Sequence, residues 1–356
     1  MNRIFQYSAV AVFMGAGLGV AHADLLAGTN LGGEMYFDMS KISQKMDGQR
    51  TGKDGYGFDV KRFYFNVDHK FDETYSLHLT TDFKYSSADG KSNIFVKKAY
   101  VQGDFAPLFK LRAGSASMPW IPYVEDLYGF RYVEPTITDR FGVRNSADWG
   151  LHALGKEGIF DYQVSLVGGA GYSQVNARSK RPDLSMRVGL HSFDGFTVAA
   201  GFYDGKRGED KAGVGPTNVQ TTYDALVAYV KHGVRLGGEY YYQKNPIKYE
   251  SANLGLTQFV ITPANAITHA KDKSTGYSLW GSYQITEPVT VFARYDYAKL
   301  SKNVDPSLSD SYFNVGAQYA VRKGIVVSLV YKNERLKDSD HEAKFNEIGI
   351  FSAIKF

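Results

Sequence analysis

The chain has 356 residues, 44% of them hydrophobic, and its 41 Lys and Arg against 37 Asp and Glu leave a formal charge of +4. That near balance argues against a nucleic-acid partner or a polybasic membrane patch, and with no Cys an exported chain must hold together without disulfides. Tyr (26), Phe (23) and Gly (37) are abundant while Pro (10) is scarce, which suits twisted strands flanked by interfacial aromatics.

In chain order the first expected element is an export signal. Arg3 precedes the mostly apolar, uncharged run Tyr7 to Val20, and Ala21-His22-Ala23 is a small-x-small cleavage pattern. The run is shorter than the ~20 residues of a spanning helix, so residues 1–23 are expected to be a signal peptide and 24–356 the mature domain. Beyond it, period-two alternation recurs throughout and helical periodicity is nowhere sustained. Strands are expected at Gly33–Lys41, Phe58–His69, Tyr75–Tyr85, Ile94–Gly103, Phe109–Ser117, Asp148–Gly155, Phe160–Gly169 and Leu184–His191. The series continues with Phe196–Asp204, Thr222–Lys231, Arg235–Lys244, Thr275–Gln284, Val289–Leu300, Ser311–Val321, Ile325–Asn333 and Glu347–Phe356.

The connections alternate in length. Short ones such as Lys70–Thr74, Asp104–Leu108, His232–Val234 and Arg322–Gly324 are interleaved with long ones, including Ile42–Gly57, Met118–Ala147, Gly205–Thr221, Asn245–Ser274 and Glu334–Asn346. Short turns on one rim and long loops on the other are the asymmetry of outer-membrane barrels. The dyad is clear in Phe58–His69, where Phe63, Phe65 and Val67 oppose Arg62, Tyr64, Asn66 and Asp68. At the far end Ile348, Ile350, Ile354 and Phe356 share one strand face, and a barrel requires that last strand to pair with the first. The fold class expected is therefore all-β: a transmembrane antiparallel β-barrel of about 16 strands with a charged, hydrated interior.

The connection 118–147 is unlike the others. It carries Trp120, Tyr123, Leu127, Tyr128, Phe130, Tyr132 and Phe141 beside Arg131, Arg140, Arg144, Glu125, Asp126, Glu134 and Asp139. Such rings suit a third long loop that folds inward against the wall and presents its charges as a constriction; an extracellular lid or a latch onto a neighbouring subunit is the alternative. By alternation Arg62, Lys84, Lys110, Arg112, Arg187, Arg235 and Arg294 face the lumen, as do Glu34, Asp38, Asp68, Asp82, Asp161, Glu239 and Asp296. The pore-lining candidates are Arg62, Lys84, Lys110, Arg112, Arg131, Arg140, Arg144 and Arg294. Lys110 and Arg112 lead toward the loop, with ion pairing along the wall as their competing role. A hydrolase would need a nucleophile, a His and an orienting group together. The mature His residues are scattered, with no GxSxG or HExxH, and no catalytic residue, metal ligand or cofactor is expected.

The stretches VKRFYFNVDHKF and LRAGSASMPWIPYVEDLYGFRYVEP resemble the phosphate-selective porin O and P family, most clearly in the first half of the mature chain. The resemblance implies a sixteen-stranded, homotrimeric porin in the outer membrane of a Gram-negative cell, its third loop inside, in contact with membrane lipid and passing small hydrophilic solutes. Anions, phosphate among them, would be the preferred class. A non-selective or cation-preferring general porin, or a structural or adhesive barrel, are the readings it competes with.

Overall fold

The computed structural model describes residues 27–86, 91–174, 179–192, 194–208, 218–246 and 271–356. The expected signal 1–23 lies outside them, as do most of the long connections after residues 208 and 246. Sixteen long strands run in chain order: β1 Thr29–Met46, β2 Gly55–Lys70, β3 Tyr75–Ser86, β4 Lys91–Ala106, β5 Phe109–Ser117, β6 Ala147–Glu157, β7 Phe160–Val167 and β8 Asp183–His191. They continue as β9 Phe196–Gly205, β10 Gln220–Lys231, β11 Val234–Lys244, β12 Lys273–Thr286, β13 Val289–Lys299, β14 Ser309–Arg322, β15 Ile325–Lys337 and β16 Glu342–Lys355. A two-residue stretch, Gln49–Arg50, pairs back onto β1 at Met46 and Lys45.

Each strand is antiparallel to its neighbour in sequence, and β16 returns to β1 from Glu34 opposite Lys355 to Met46 opposite Ala343. Closure leaves no free edge, so every strand finds hydrogen-bond partners on both sides, the condition for crossing lipid with strands. The expected alternation of connections holds. One rim has the tight turns 71–74, 107–108, 158–159, 232–233, 287–288 and 323–324; the other carries 47–54, 118–146, 168–182 and 300–308.

Several strands outrun their expected limits. β1, expected over Gly33–Lys41, reaches Met46, and the connection expected at Glu334–Asn346 shrinks to residues 338–341. Above the lipid the outward residues turn polar, as with Lys45, Lys344 and Arg335, so the alternation fades while backbone pairing continues.

The outer wall is apolar. Leu151, Leu190, Val198, Val227, Leu236, Leu279, Leu329 and Ile350 are each between 51% and 61% exposed. A belt of that size on every side would drive aggregation in water and is the stable face against hydrocarbon. Side chains of the opposite parity, Glu239, Arg294, Asp296, Lys332, Glu334 and Glu347 among them, are buried on the inside.

Two irregularities alter this alternation where it matters. The β1–β2 register shifts between Tyr36 and Phe37, leaving Lys61 without an opposite residue. The β3–β4 register shifts between Thr80 and Thr81, and Lys97 is left over in the same way. An extra residue in one strand puts two consecutive side chains on the same face. Phe58 and Val60 therefore face outward before the first bulge and Phe63 and Phe65 after it, while Lys61 and Arg62 both turn inward. The second bulge does the same for Lys97 and Lys98, with Ile94 and Val96 outward on one side and Val101 on the other.

Candidate functional site

Residues 118–146 contain two short helices, α1 Ile121–Tyr128 and α2 Ile137–Arg140. Pro122 suits the first turn of α1, where its missing N–H would have no partner, and Gly129 ends the helix at φ 80° in the left-handed region. Beyond β5, the segment hydrogen-bonds inward-facing groups on strands β8 to β15. Arg187 Nε donates to the Pro119 carbonyl at 3.0 Å, and Trp120 Nε1 donates to Glu239 at 2.7 Å. Thr138 donates to the same carboxylate at 3.0 Å and Arg294 to the Pro135 carbonyl at 2.6 Å. Tyr132 donates to Gln318 at 2.9 Å, Lys332 Nζ to the Val133 carbonyl at 2.8 Å, and Arg235 to the Leu127 carbonyl at 3.0 Å.

Apolar packing follows the same route. Phe130 stacks on Phe292 with ring centroids 4.3 Å apart, and Tyr128 lies 5.8 Å from Trp280. Gly201 on β9 makes room for Trp120: a Cβ there would come within 2.6 Å of its ring. The aromatic residues that set this connection apart in sequence are thus the ones that hold it to the wall.

Arg140 is the centre of the polar clasp. Its guanidinium, 1% exposed, meets Asp296 at 2.8 Å, Glu334 at 2.9 Å, Glu134 at 3.4 Å and Asp310 at 3.6 Å, and lies 4.1 Å over the Tyr312 ring. Lys332 bridges Glu134 at 3.2 Å and Glu347 at 3.0 Å. Arg144 pairs with Asp224, and Arg294 with Asp296.

Burial alone would push the Glu134 carboxyl up, but Lys332 and Arg140 pull it down to about 2. A depressed carboxylate contributes stability that is present above its unfolded value near 4.5 and is lost as pH falls through the folded value. The contribution is on the order of 3 kcal/mol for this fully buried group. The melting temperature in detergent should therefore be unaffected by this group above pH 5 and fall between about pH 4.5 and 2. A melting temperature flat down to pH 2 would remove Glu134 from the clasp.

The candidate residues separate into groups. Arg140, Arg144 and Arg294 are buried in the clasp and do not line the open cavity. Arg131 lines it while paired with Glu125 and, at 3.1 Å, with Asp139. Arg62 sits on the inner wall 3.9 Å from Asp82. Lys110 lies beside the tight turn at 107–108, at the rim opposite residues 118–146, and pairs with Asp104 at 3.2 Å. Arg112 is half-buried, donates to Gln102 at 2.6 Å and lies 5.0 Å over the Tyr100 ring. Lys84 is on β3 opposite Asn93, with its side chain outside the described residues.

A cavity of about 550 Å³ opens between the α1 side of the segment and strands β1 to β4. Its charged lining comprises the cations Lys97, Lys98, Arg131, Arg235 and Lys355, five in all, against three carboxylates, Glu34, Glu125 and Asp126. Lys97 is held by Asp82 at 3.6 Å and donates to Tyr64 at 3.0 Å, whereas Lys98 has no hydrogen bond or ion pair among the described residues. Strict alternation misses Lys61 and Lys97, because each is the extra residue at a bulge, whereas Lys98, like Arg62, keeps the parity of the residues that follow. The signal was present in the sequence as a paired cation, Lys61-Arg62 or Lys97-Lys98, at the point where outward apolar residues switch from even to odd numbers.

Among the described residues the Ser–His contact is that of His152, whose Nδ1 meets Ser165 Oγ at 2.8 Å. Both are fully buried, and no side-chain carboxylate bonds the ring of His152 among the described residues. His78 is held on the wall by Asp68 at 2.6 Å and Thr80 at 2.7 Å.

A closed antiparallel cylinder, greasy outside and lined with charge around an open cavity, defines a barrel of the outer-membrane channel class. The chain belongs to the Gram-negative porin family, whose model matches residues 8–339. No curated protein sequence matches it. Among solved structures it is similar to OmpF of Salmonella typhi in complex with daunomycin (TM-score 0.64, 14% identity, covering 92% of this chain and 97% of that one). It is similar also to an anion-selective porin from Comamonas acidovorans (TM-score 0.63, 13% identity, 92% and 99% covered). The trimer form of OmpT from Vibrio cholerae gives a TM-score of 0.60 at 13% identity, with 92% and 99% covered. At these identities the likeness is one of fold; the family match makes the chain an outer-membrane channel for small solutes.

Proposed function

We propose that residues 118–146 fold into the lumen as the channel's constriction and that the channel, a homotrimer exported through a signal at 1–23, prefers small hydrophilic anions, inorganic phosphate among them. The observation that carries the anion reading is the cationic excess in the cavity, five charges to three, with Lys98 in no ion pair among the described residues. Fixed charge at a narrow point biases conduction more than charge on a wide rim. The inward course of the loop is supported by its hydrogen bonds to Glu239, Gln318 and Asp296 on the far strands. The resemblance of the sequence to phosphate-selective porins and the anion-selective porin of similar fold point the same way.

The test is the reversal potential of the purified channel in a planar bilayer across a KCl gradient. The sign of chloride permeation is expected, and a cation-selective sign would overturn the reading. Lys110→Ala should move that potential only slightly, because Lys110 stands at the far rim and is paired with Asp104. A large shift there would relocate the selecting charges to the tight-turn end.

A further inference from the structure

A cavity of about 460 Å³, separate from the one beside α1, opens on the inner wall at the long-loop rim, between the connection 47–54 and strands β1, β2 and β16. Its charged lining is Lys53, Asp54, Asp59, Lys61 and Glu347, and its apolar side is Ile42 and Phe345. Three glycines keep it open. A Cβ on Gly52 or Gly55 would meet no atom within 4 Å, and one on Gly57 would meet nothing nearer than Asp59 Oδ2, at 4.0 Å. The Asp59 carboxylate therefore lies over the strand on the cavity side.

Most of these charges already have partners. Register puts Asp38 of β1 directly opposite Asp59 of β2, and like charges so placed destabilise a sheet unless a cation compensates them. The bulge supplies one cation for the two. Lys61, the extra residue, turns inward, with its Nζ 3.0 Å from Asp38 and 4.0 Å from Glu347. Glu347 also accepts from Ser40 at 2.8 Å and pairs with Lys332 at 3.0 Å. Asp54 accepts from Ser43 at 3.4 Å and lies 3.8 Å from Arg50. Asp59 and Lys53 are what remains: both are exposed, and neither side chain has a hydrogen bond or ion pair among the described residues, with the other or with anything else.

Two uncompensated charges of opposite sign on one cavity wall favour a ligand that carries both. An ion of a single sign would be drawn to one of them and repelled by the other. A zwitterion satisfies the two at once, and each of its ends gains a charge-assisted hydrogen bond. The cavity has the volume of about fifteen waters, which is room for a dipeptide, and Ile42 and Phe345 offer its side chains an apolar surface. We infer that this is a capture site for small zwitterionic solutes, free amino acids or dipeptides, at the mouth of the channel. Asp59 takes the ammonium end and Lys53 the carboxylate. The site adjoins the clasp, to which Glu347 belongs through Lys332. The inference requires only that the chain be a channel, and it stands whichever ion the constriction prefers.

The experiment records the single-channel KCl conductance of the full-length channel in a planar bilayer, with alanyl-alanine added on the side of the long loops. Its N-acetyl derivative, which keeps the negative end alone, and its amide, which keeps the positive end alone, are the comparison probes. Alanyl-alanine is expected to reduce the current saturably, with each derivative about fivefold weaker. Lys53→Gln and Asp59→Asn should each weaken the dipeptide by about the same factor, the upper range for one exposed ion pair. The exchange Lys53→Asp with Asp59→Lys should restore it, because the ligand can bind turned end for end, whereas a loss through misfolding would not be repaired. Gly57→Leu, which fills the space and changes no charge, should abolish it. The proposal is overturned by the absence of a saturable effect in the native chain, by a derivative as potent as the dipeptide, or by single variants that lose nothing. An exchange that fails to recover the effect, or a Gly57→Leu channel that retains it, overturns it as well.

Discussion

Replacing Arg140 with alanine should give a channel that folds less stably and conducts in larger, noisier steps. The guanidinium is shared by Asp296, Glu334, Glu134 and Asp310, all fully buried or nearly so. Removing it leaves those carboxylates facing one another with Arg294 and Lys332 as their remaining ion-pair partners among the described residues. Breaking a buried ionic cluster by deleting one partner costs about 3–5 kcal/mol, because the remaining charges stay desolvated. The loss falls on the contact between the wall and α2, so residues 118–146 should also become open to protease while the strands stay protected. Arg140→Lys should be intermediate, since an ammonium keeps the charge but cannot reach four acceptors with a planar fork. The checks are melting temperature in detergent, limited proteolysis and single-channel conductance. An unchanged melting temperature and conductance in the alanine variant would show that the aromatic contacts, chiefly Phe130 on Phe292 and Trp120 beneath Glu239, suffice alone.

The number and order of strands were readable because each crosses lipid with one greasy and one wet face, and Val291, Ala293 and Tyr295 against Arg294 and Asp296 is the pattern that results. Strand ends above the membrane were not readable, because there Ser43, Lys45 and Lys344 face water on the outside and alternation carries no information. The special composition of residues 118–147 was legible for a physical reason: rings such as Phe130 and Tyr132 have no use in open water, and in the fold they are buried against Phe292 and Gln318. Their arginines were harder. A charged side chain in a loop looks the same in sequence whether it lines a pore or is buried in a clasp; only the fold brings Asp296, Asp310 and Glu334, more than a hundred residues away, around Arg140. The bulge lysines Lys61 and Lys97 were missed for the opposite reason, a local rule applied too strictly. One inserted residue at Lys61 or Lys97 is invisible to a fixed period of two and decides which cations face inward.

That distinction gives the other large expected effect. Lys98→Glu should reverse or abolish any preference for chloride over potassium. Lys98 lines the cavity beside the α1 side of the loop and makes no ion pair with a described carboxylate, so its charge acts on whatever passes. Substituting glutamate changes the local charge by two units. Two such units acting on an ion about 5 Å away in water-like surroundings amount to about 1.7 kcal/mol, roughly halved by salt at physiological strength. The change acts with opposite sign on cations and anions, so their permeability ratio should move by about tenfold, and less as salt is raised. Lys97→Gln is the informative contrast. Its ammonium is already taken up by Asp82 and Tyr64, so removing it should cost stability in the β2–β4 wall more than selectivity. If Lys98→Glu left the reversal potential unmoved while Lys97→Gln shifted it, the second bulge would present the other lysine to the pore and the cavity between α1 and β1–β4 would not be the route that ions take.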